Sequence, residues 1–299
     1  MTTVLIGGGT GFIGMHLSRR LQREGYEVRH LSRTEDLAAQ FPAYHWDIHA
    51  GKIDPRALEG VTCVVNLAGA GIADERWSDA RKQTIISSRT ESTRLLARAM
   101  AEMDEKPEHY LSAGAIGYYG DRGEEWLTET ATPGTGFLSK SCLLWEAAAE
   151  EIAAMGVPTF VNRTGIVLHP EAGALEKMLL PLKLWTSPYF GDGRQYYSWI
   201  HIEDLVGIYA HAIEEGLAGT YNGCAPNPVR NRYFAEALGP ALGKSTVSVP
   251  APAAALQLAL GEMSHTVLDS ARCSAAKIEA TGYRFVYPEL SMALEQLLA

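Results

Sequence analysis

The feature that most restricts the fold of this chain lies in its first fourteen residues, where Val4-Leu5-Ile6 runs into Gly7-Gly8-Gly9-Thr10-Gly11-Phe12-Ile13-Gly14. The short apolar run has the character of a buried strand. Ile13, Leu17 and Leu21 then recur every four residues, as a helix lying on a sheet requires. Among glycines spaced as at 8, 11 and 14, one permits a tight turn, one lets backbone approach a pyrophosphate, and one lets helix pack against strand. The helix N-terminus adds free N–H groups and a partial positive charge. With a second strand following over 27–31, Gly8, Thr10, Gly11, Phe12, Ile13 and Gly14 are expected to cradle the phosphates of a dinucleotide.

The second strand ends in Leu31-Ser32-Arg33. An acidic residue there would hold the adenosine ribose of NAD, whereas an arginine accommodates the 2′-phosphate of NADP. Ser32 and Arg33 therefore favour NADP over NAD. A further buried strand, Cys63 to Leu67, runs into small residues, so that Leu67, Ala68 and Gly69 would let a ribose lie against the backbone. Ser88 to Glu91 reads as a capping box before a helix carrying Leu95, Leu96, Ala99 and Met100, with Arg89 in its first turn facing either solvent or the cofactor. A strand over 109–113 leads into Gly114-Ala115-Ile116-Gly117-Tyr118-Tyr119-Gly120. Because ligand sites sit at the carboxyl ends of parallel strands, this reads as an active-site loop, and Tyr118 and Tyr119 become candidate acid/base groups.

A helix over 143–155 and a strand over 158–163 continue the alternation, which predicts an α/β fold: a Rossmann-type doubly wound parallel sheet with a smaller C-terminal α/β substrate lobe. The expected division is 1–168 for the nucleotide domain, with 199–225 returning to it, and 169–198 plus 226–299 for the substrate side. Trp185, Tyr189, Phe190, Gln195, Tyr196, Tyr197 and Trp199 suggest an aromatic lid or a lobe packing its own core.

A net charge of −9 leaves no basic field for nucleic acid or acidic lipid. Cys63, Cys142, Cys224 and Cys273 form no C-x-x-C pair, so no metal site or disulfide scaffold is expected. No run reaches the roughly 18 apolar residues of a membrane span. The expectation is a cytoplasmic monomer or homodimer that acts on a small molecule.

Taken together, Gly8–Gly14, Ser32-Arg33, Asn66–Gly69 with Trp77, Ser88-Arg89, Ala115–Gly120, Trp145-Glu146, Arg163–Leu168, Trp199–Asp204, Ala225–Val229 and Gly282–Phe285 with Tyr287-Pro288 carry a resemblance over essentially the whole length. The chain resembles the atypical extended short-chain dehydrogenases of the nucleoside-diphosphate-sugar epimerase type, which carry a small C-terminal domain of unknown function. The resemblance implies NADP as cofactor and adds Arg89 and Arg163 to its contacts. Some relatives are labelled cell-division factors.

The superfamily works with Y-x-x-x-K, in which a tyrosine exchanges the proton and a lysine lowers its pKa. Alignment on Glu146 places Leu138 and Cys142 at those two positions, and neither can substitute. Two classes of function stay open. One is an NADP-dependent oxidoreductase or epimerase for a carbonyl or sugar-like substrate, with acid/base chemistry from Tyr118, Tyr119, Lys140 or His201, the last lying in a segment similar to the V-H-V-x-D motif of extended members. The other is a catalytically silent NADPH sensor or scaffold.

Overall fold

The computed structural model describes residues 2–299. The strands in chain order are β1 (Thr3–Gly7), β2 (Glu27–Ser32), β3 (Ala43–Asp47), β4 (Lys52–Ile53), β5 (Cys63–Asn66), β6 (His109–Ala115), β7 (Trp126–Leu127) and β8 (Thr159–Thr164). Beyond them come β9 (Ile166–His169), β10 (Thr186–Phe190), β11 (Tyr196–Tyr197), β12 (Trp199–His201), β13 (Gly219–Gly223), β14 (Val229–Arg230), β15 (Val247–Ala251) and β16 (Arg272–Cys273). Eight of them form one sheet in the order β13-β8-β6-β5-β1-β2-β3-β4, and every neighbouring pair is parallel except β3–β4. This is the doubly wound Rossmann order. Its direction reverses between β1 and β5, where a crevice opens at the carboxyl ends.

The side-chain period of two explains why β1 is apolar throughout. Val4 and Ile6 enter one core with Leu17 and Leu21 of α1 (Phe12–Arg23), while Leu5 enters the other with Val64 and with Leu95 and Leu96 of α2 (Asp79–Ala101). The second core is closed by Ala149 and Ile152 of α3 (Gly136–Ala153). After the short α4 (Gly173–Leu179), helix α5 (Ile202–Glu214) covers the first face beside α1 through Leu205 and Ile208.

The C-terminal lobe has its own core, in which Trp199 packs with Phe234 and Leu238 of α6 (Asn231–Ala241). The chain continues through α7 (Ala253–Leu260), α8 (His265–Leu268), α9 (Ala276–Glu279) and α10 (Leu290–Leu298), whose Leu290 and Leu294 complete that core. Short strand pairs tie the lobe together: β9 with β12 and β10 with β15 run parallel, and β11 with β14 antiparallel. The β7–β16 pair joins it to the loop after β6. No helix among the described residues is long and apolar enough to cross a membrane.

Two boundaries differ from the sequence reading. Ser78, not Ser88, caps α2, its Oγ accepting from Arg81 N at 3.1 Å. Ser88–Glu91 is mid-helix; only Ile85 of residues 79–89 is buried, so the first turns carry no apolar stripe to reveal them. Helix α3 starts at Gly136 rather than at residue 143, and its Leu143 and Leu144 face solvent.

Candidate functional site

The glycine turn divides its labour unequally. Gly8 has φ +77°, and a Cβ there would lie 2.9 Å from Ala68 N, so the turn is pressed against the loop after β5. At Gly14 a Cβ would meet Gly8 O at 2.5 Å, which fixes how closely α1 approaches the turn. Gly11 caps α1 without a side-chain bond, and a Cβ there would meet only Gly8 O, at 3.2 Å. Gly11 is thus less crowded than Gly8 and Gly14, with one tight backbone contact. The first helical bond of α1 is Met15 N to Gly11 O, so the N–H groups of Phe12, Ile13 and Gly14 have no helical acceptor and are available to an anion. Thr10 is exposed beside them, and Phe12 packs edge-on against His169 with centroids 4.7 Å apart.

Gly9 has a constraint the motif does not announce: a Cβ would come within 2.3 Å of the His30 ring. His30 is 2% exposed and lies 2.7 Å from Ser18 Oγ, which itself donates to Gly14 O at 2.7 Å. With the hydroxyl proton so used, His30 Nε2–H donates to Ser18. Burial lowers the imidazole to about 4, so the neutral ring is the native form.

At the end of β2, Ser32 Oγ accepts from Thr34 N at 3.2 Å, and Arg33 is exposed with no ion-pair partner among the described residues. The nearby Glu35 is engaged by Arg56 at 2.9 Å. After β5, Leu67 N donates to Gly7 O at 2.8 Å and Ala68 N to Asn66 Oδ1 at 3.1 Å, which holds this loop beside Gly8. Gly69 lies against Arg89, whose Cζ would be 3.0 Å from a Cβ there. Arg89 turns toward the carboxyl end of the sheet, donates to Ala70 O and Ile85 O at 3.0 and 2.9 Å, and lies 5.0 Å over the Trp145 ring. Burial lowers its pKa. Ser88 Oγ accepts from Ala70 N at 3.0 Å, so α2 anchors the loop through two side chains.

Beyond Arg89 lies a cavity of 190 Å³, walled by Ile116, Gly117, Leu138 and Cys142 on one side and Tyr196, Tyr197, His265 and Asp269 on the other. Leu138 and Cys142, expected from the sequence at the superfamily's tyrosine and lysine positions, both line this cavity. Cys142 Sγ donates to Ala115 O at 3.6 Å, and burial, then Glu146, pushes the thiol up to about 12. It is a protonated packing group.

Three expected site residues have their polar atoms bonded within the protein. Arg163 is 4% exposed and forms a bidentate pair with Glu146, both contacts 2.8 Å; it donates as well to Tyr119 Oη at 3.0 Å and Glu129 O at 3.2 Å. Each of its guanidinium nitrogens thus donates to a protein acceptor. Tyr119 is fully buried, donates to Asn222 Oδ1 at 2.7 Å, and has its pKa raised by burial, so it is a structural phenol. His201 caps α5: Nδ1 accepts from Glu203 N at 3.0 Å, Nε2 bonds Gln296 Oε1 at 2.8 Å, and the ring lies 4.0 Å from that of Tyr287. Both ring nitrogens thus have partners within the protein. Tyr118 is half-buried with its ring 3.4 Å from the Arg163 guanidinium, and it does not line the cavity. Lys140 is exposed on α3.

The expected aromatic lid divides. Trp199 is core, Trp185 is 60% exposed, and Tyr196 and Tyr197 wall the cavity. Sequence reasoning missed His265 and Asp269, whose Nδ1 and Oδ1 lie 2.8 Å apart. Their only signal was a spacing of four.

Comparison with known proteins matches residues 4–223 to the NAD dependent epimerase/dehydratase family and residues 251–297 to a domain of unknown function, DUF1731. The chain is 38% identical to the epimerase family protein YfhF of Bacillus subtilis, covering 98% of this chain and 96% of that one. It is 35% identical to the epimerase family protein SDR39U1 of Homo sapiens, covering 99% of each. A crystal structure of human SDR39U1 (isoform2) with NADPH superposes with a TM-score of 0.88 at 33% identity, covering 99% of both chains. UDP-glucuronic acid 4-epimerase from Bacillus cereus shares the fold, with a TM-score of 0.78 at 18% identity over 98% of this chain and 97% of that one.

Proposed function

The chain belongs to the NAD dependent epimerase/dehydratase family, and on that premise we propose that it is an NADP(H)-dependent oxidoreductase or epimerase acting on a small carbonyl or sugar-like substrate. The observation that carries this reading is the position of the glycine cradle and the 190 Å³ cavity on one edge of the sheet, joined by Arg89, which touches the loop beside Gly8 and also lines the cavity. The residues present fit the cofactor. Gly11, with a single Cβ contact, and the free N–H groups of α1 suit the pyrophosphate, Leu67–Gly69 suit a ribose, and Ser32 with Arg33, which has no ion-pair partner among the described residues, suits a 2′-phosphate. That the relative SDR39U1 was crystallised with NADPH supports the same choice.

When bound, the nicotinamide supplies or accepts a hydride at a substrate carbon. The chain's own residues position, enclose and exchange protons. Ile116, Leu138 and Trp145 give the cavity apolar walls that exclude water, while Cys142 holds its proton and takes no part. Four buried free thiols suit a reducing cytoplasm.

Leucine and cysteine at the usual tyrosine and lysine positions favour a second reading, a silent NADPH sensor. Titration of NADPH followed by a panel of aldehydes, ketones and nucleotide sugars, monitored by nicotinamide absorbance and by NMR of the sugars, separates the two. Turnover with any member establishes the enzyme; tight binding with none across the panel establishes the sensor. Failure to bind NADPH overturns both.

A further inference from the structure

The reading of an NADP(H)-dependent enzyme leaves the proton unassigned, and the cavity wall contributed by the C-terminal lobe supplies a candidate. Of the titratable groups lining it, most are occupied. Cys142 is a buried thiol bonded to a carbonyl, Arg89 is committed to two carbonyls, Tyr197 donates to Val267 O at 2.9 Å, and Tyr196 lies between Arg230 and Arg272, 4.9 and 4.6 Å from its ring. His265 differs. Its Nδ1 is bonded to Asp269 Oδ1 at 2.8 Å, its Nε2 has no partner among the described residues, and it remains 59% exposed so that protons can be replenished from solvent.

We propose that His265, oriented by Asp269, exchanges a proton with the substrate oxygen in this cavity, replacing the missing tyrosine from the opposite wall. The assignment rests on the functional reading above. In the reducing direction, hydride from the reduced nicotinamide bonds to the carbonyl carbon and the C=O π pair moves onto oxygen. The imidazolium Nε2–H then gives its proton to that oxygen, and an alcohol, oxidised nicotinamide and neutral imidazole result. Solvent returns the proton. Asp269 is a positioning residue: its carboxylate fixes the tautomer with Nδ1–H and the direction of the ring. The other charged groups around the pair are Asp121, Arg122 and Glu124 on the loop after β6, the last paired with Arg230, Asp192 and Arg194 after β10, Glu262 before α8, which is paired with Lys82, and Arg89 across the cavity.

The test uses the full chain and a chemical probe of the imidazole. Carbethoxylation of His265 by diethyl pyrocarbonate, followed by mass spectrometry, is expected to slow at least about fivefold with saturating NADPH, and not with 2′-phospho-ADP-ribose, which fills the cradle without the nicotinamide. With a substrate in hand, His265→Gln is expected to lower kcat about a hundredfold to ten-thousandfold while NADPH affinity stays within a few-fold. Reduction by the wild type is expected to fall as pH rises through the imidazole pKa. Asp269→Asn is expected to lower kcat with KM and NADPH affinity little changed, and His265→Gln to abolish that limb. Equal modification rates with NADPH and 2′-phospho-ADP-ribose, or full turnover by His265→Gln, overturns the proposal. Failure of NADPH to bind overturns the functional reading instead.

Discussion

At the scale of single residues, the four glycines of the turn separate fold from function, because an added Cβ meets different things at each. At Gly14 it meets backbone at 2.5 Å and at Gly9 it meets the His30 ring at 2.3 Å, so both are requirements of the fold. At Gly11 it meets a single atom, Gly8 O at 3.2 Å, a tight contact but a less severe one. Gly11→Val is therefore expected to keep the wild-type melting temperature within a few degrees while removing NADPH binding, since the branched side chain fills the space a pyrophosphate needs. Loss of folding at Gly11, or binding retained, would contradict this division. Arg33 makes the complementary case from charge. A hydrogen bond to a charged group contributes roughly 1.5–3 kcal/mol, on the order of tenfold to a hundredfold in affinity. Arg33→Ala is expected to weaken NADPH by that factor and leave NADH unchanged; equal wild-type affinities for the two nucleotides would refute the assignment.

At the scale of elements, α1 and β2 are joined beneath the turn by Ser18 and His30, and this junction has a defined pH response. Burial lowers His30 from 6.5 to about 4, so protonation favours the unfolded chain. The stability it confers is complete above pH 6.5 and is lost as pH falls toward 4, about 3 kcal/mol in all. Urea midpoints between pH 7 and pH 4 are expected to fall less steeply in His30→Gln, whose amide can still donate to Ser18; parallel slopes would exclude His30 as the source. The elements also show which parts of the molecule could be read in advance. Val4 to Ile6, Cys63 to Val65 and Thr159 to Val161 are buried strands whose apolar runs announced the sheet, and the glycine turn located the cradle. The first turns of α2 were hidden because Ile85 is almost alone in meeting the core there. The two-residue strands β7, β11, β14 and β16 exist through partners far along the chain and have no local period to detect. Tyr119, Arg163 and His201 belong to residue types that serve both catalysis and buried hydrogen bonding, and only their partners decide between the two. His265 and Asp269 are unremarkable in sequence until folding places them across from Cys142.

At the scale of the whole molecule, the C-terminal segment is fastened to the nucleotide-binding sheet through α5. Asp204 of that helix is fully buried; its Oδ1 accepts from Val286 N at 2.8 Å and Tyr283 Oη at 3.1 Å, and its Oδ2 accepts from Tyr287 N at 2.9 Å. Gly207, one turn on, leaves room for the same phenol, which a Cβ would meet at 2.5 Å. His201 at the start of the helix holds Gln296 of α10. The wall carrying His265 is attached elsewhere: Ser270 N donates to Asp121 Oδ1 at 3.1 Å and Arg122 N to Ser270 O at 2.9 Å, while Cys273 N donates to Ser198 Oγ at 2.8 Å. The two attachments should therefore loosen independently. Asp204→Ala leaves two backbone N–H groups and a buried phenol without their charged acceptor, a loss of roughly 3 kcal/mol or more. Asp204→Asn, which keeps one oxygen, is expected to lose less. By hydrogen exchange, Asp204→Ala is expected to raise exchange over residues 283–298 by about a hundredfold or more, following from the same free energy, with residues 265–273 and the β1 to β6 core unchanged. Exchange that rises equally over 265–273 would mean that the C-terminal lobe opens as one unit, and that Asp204 holds the cavity wall as well as the tail.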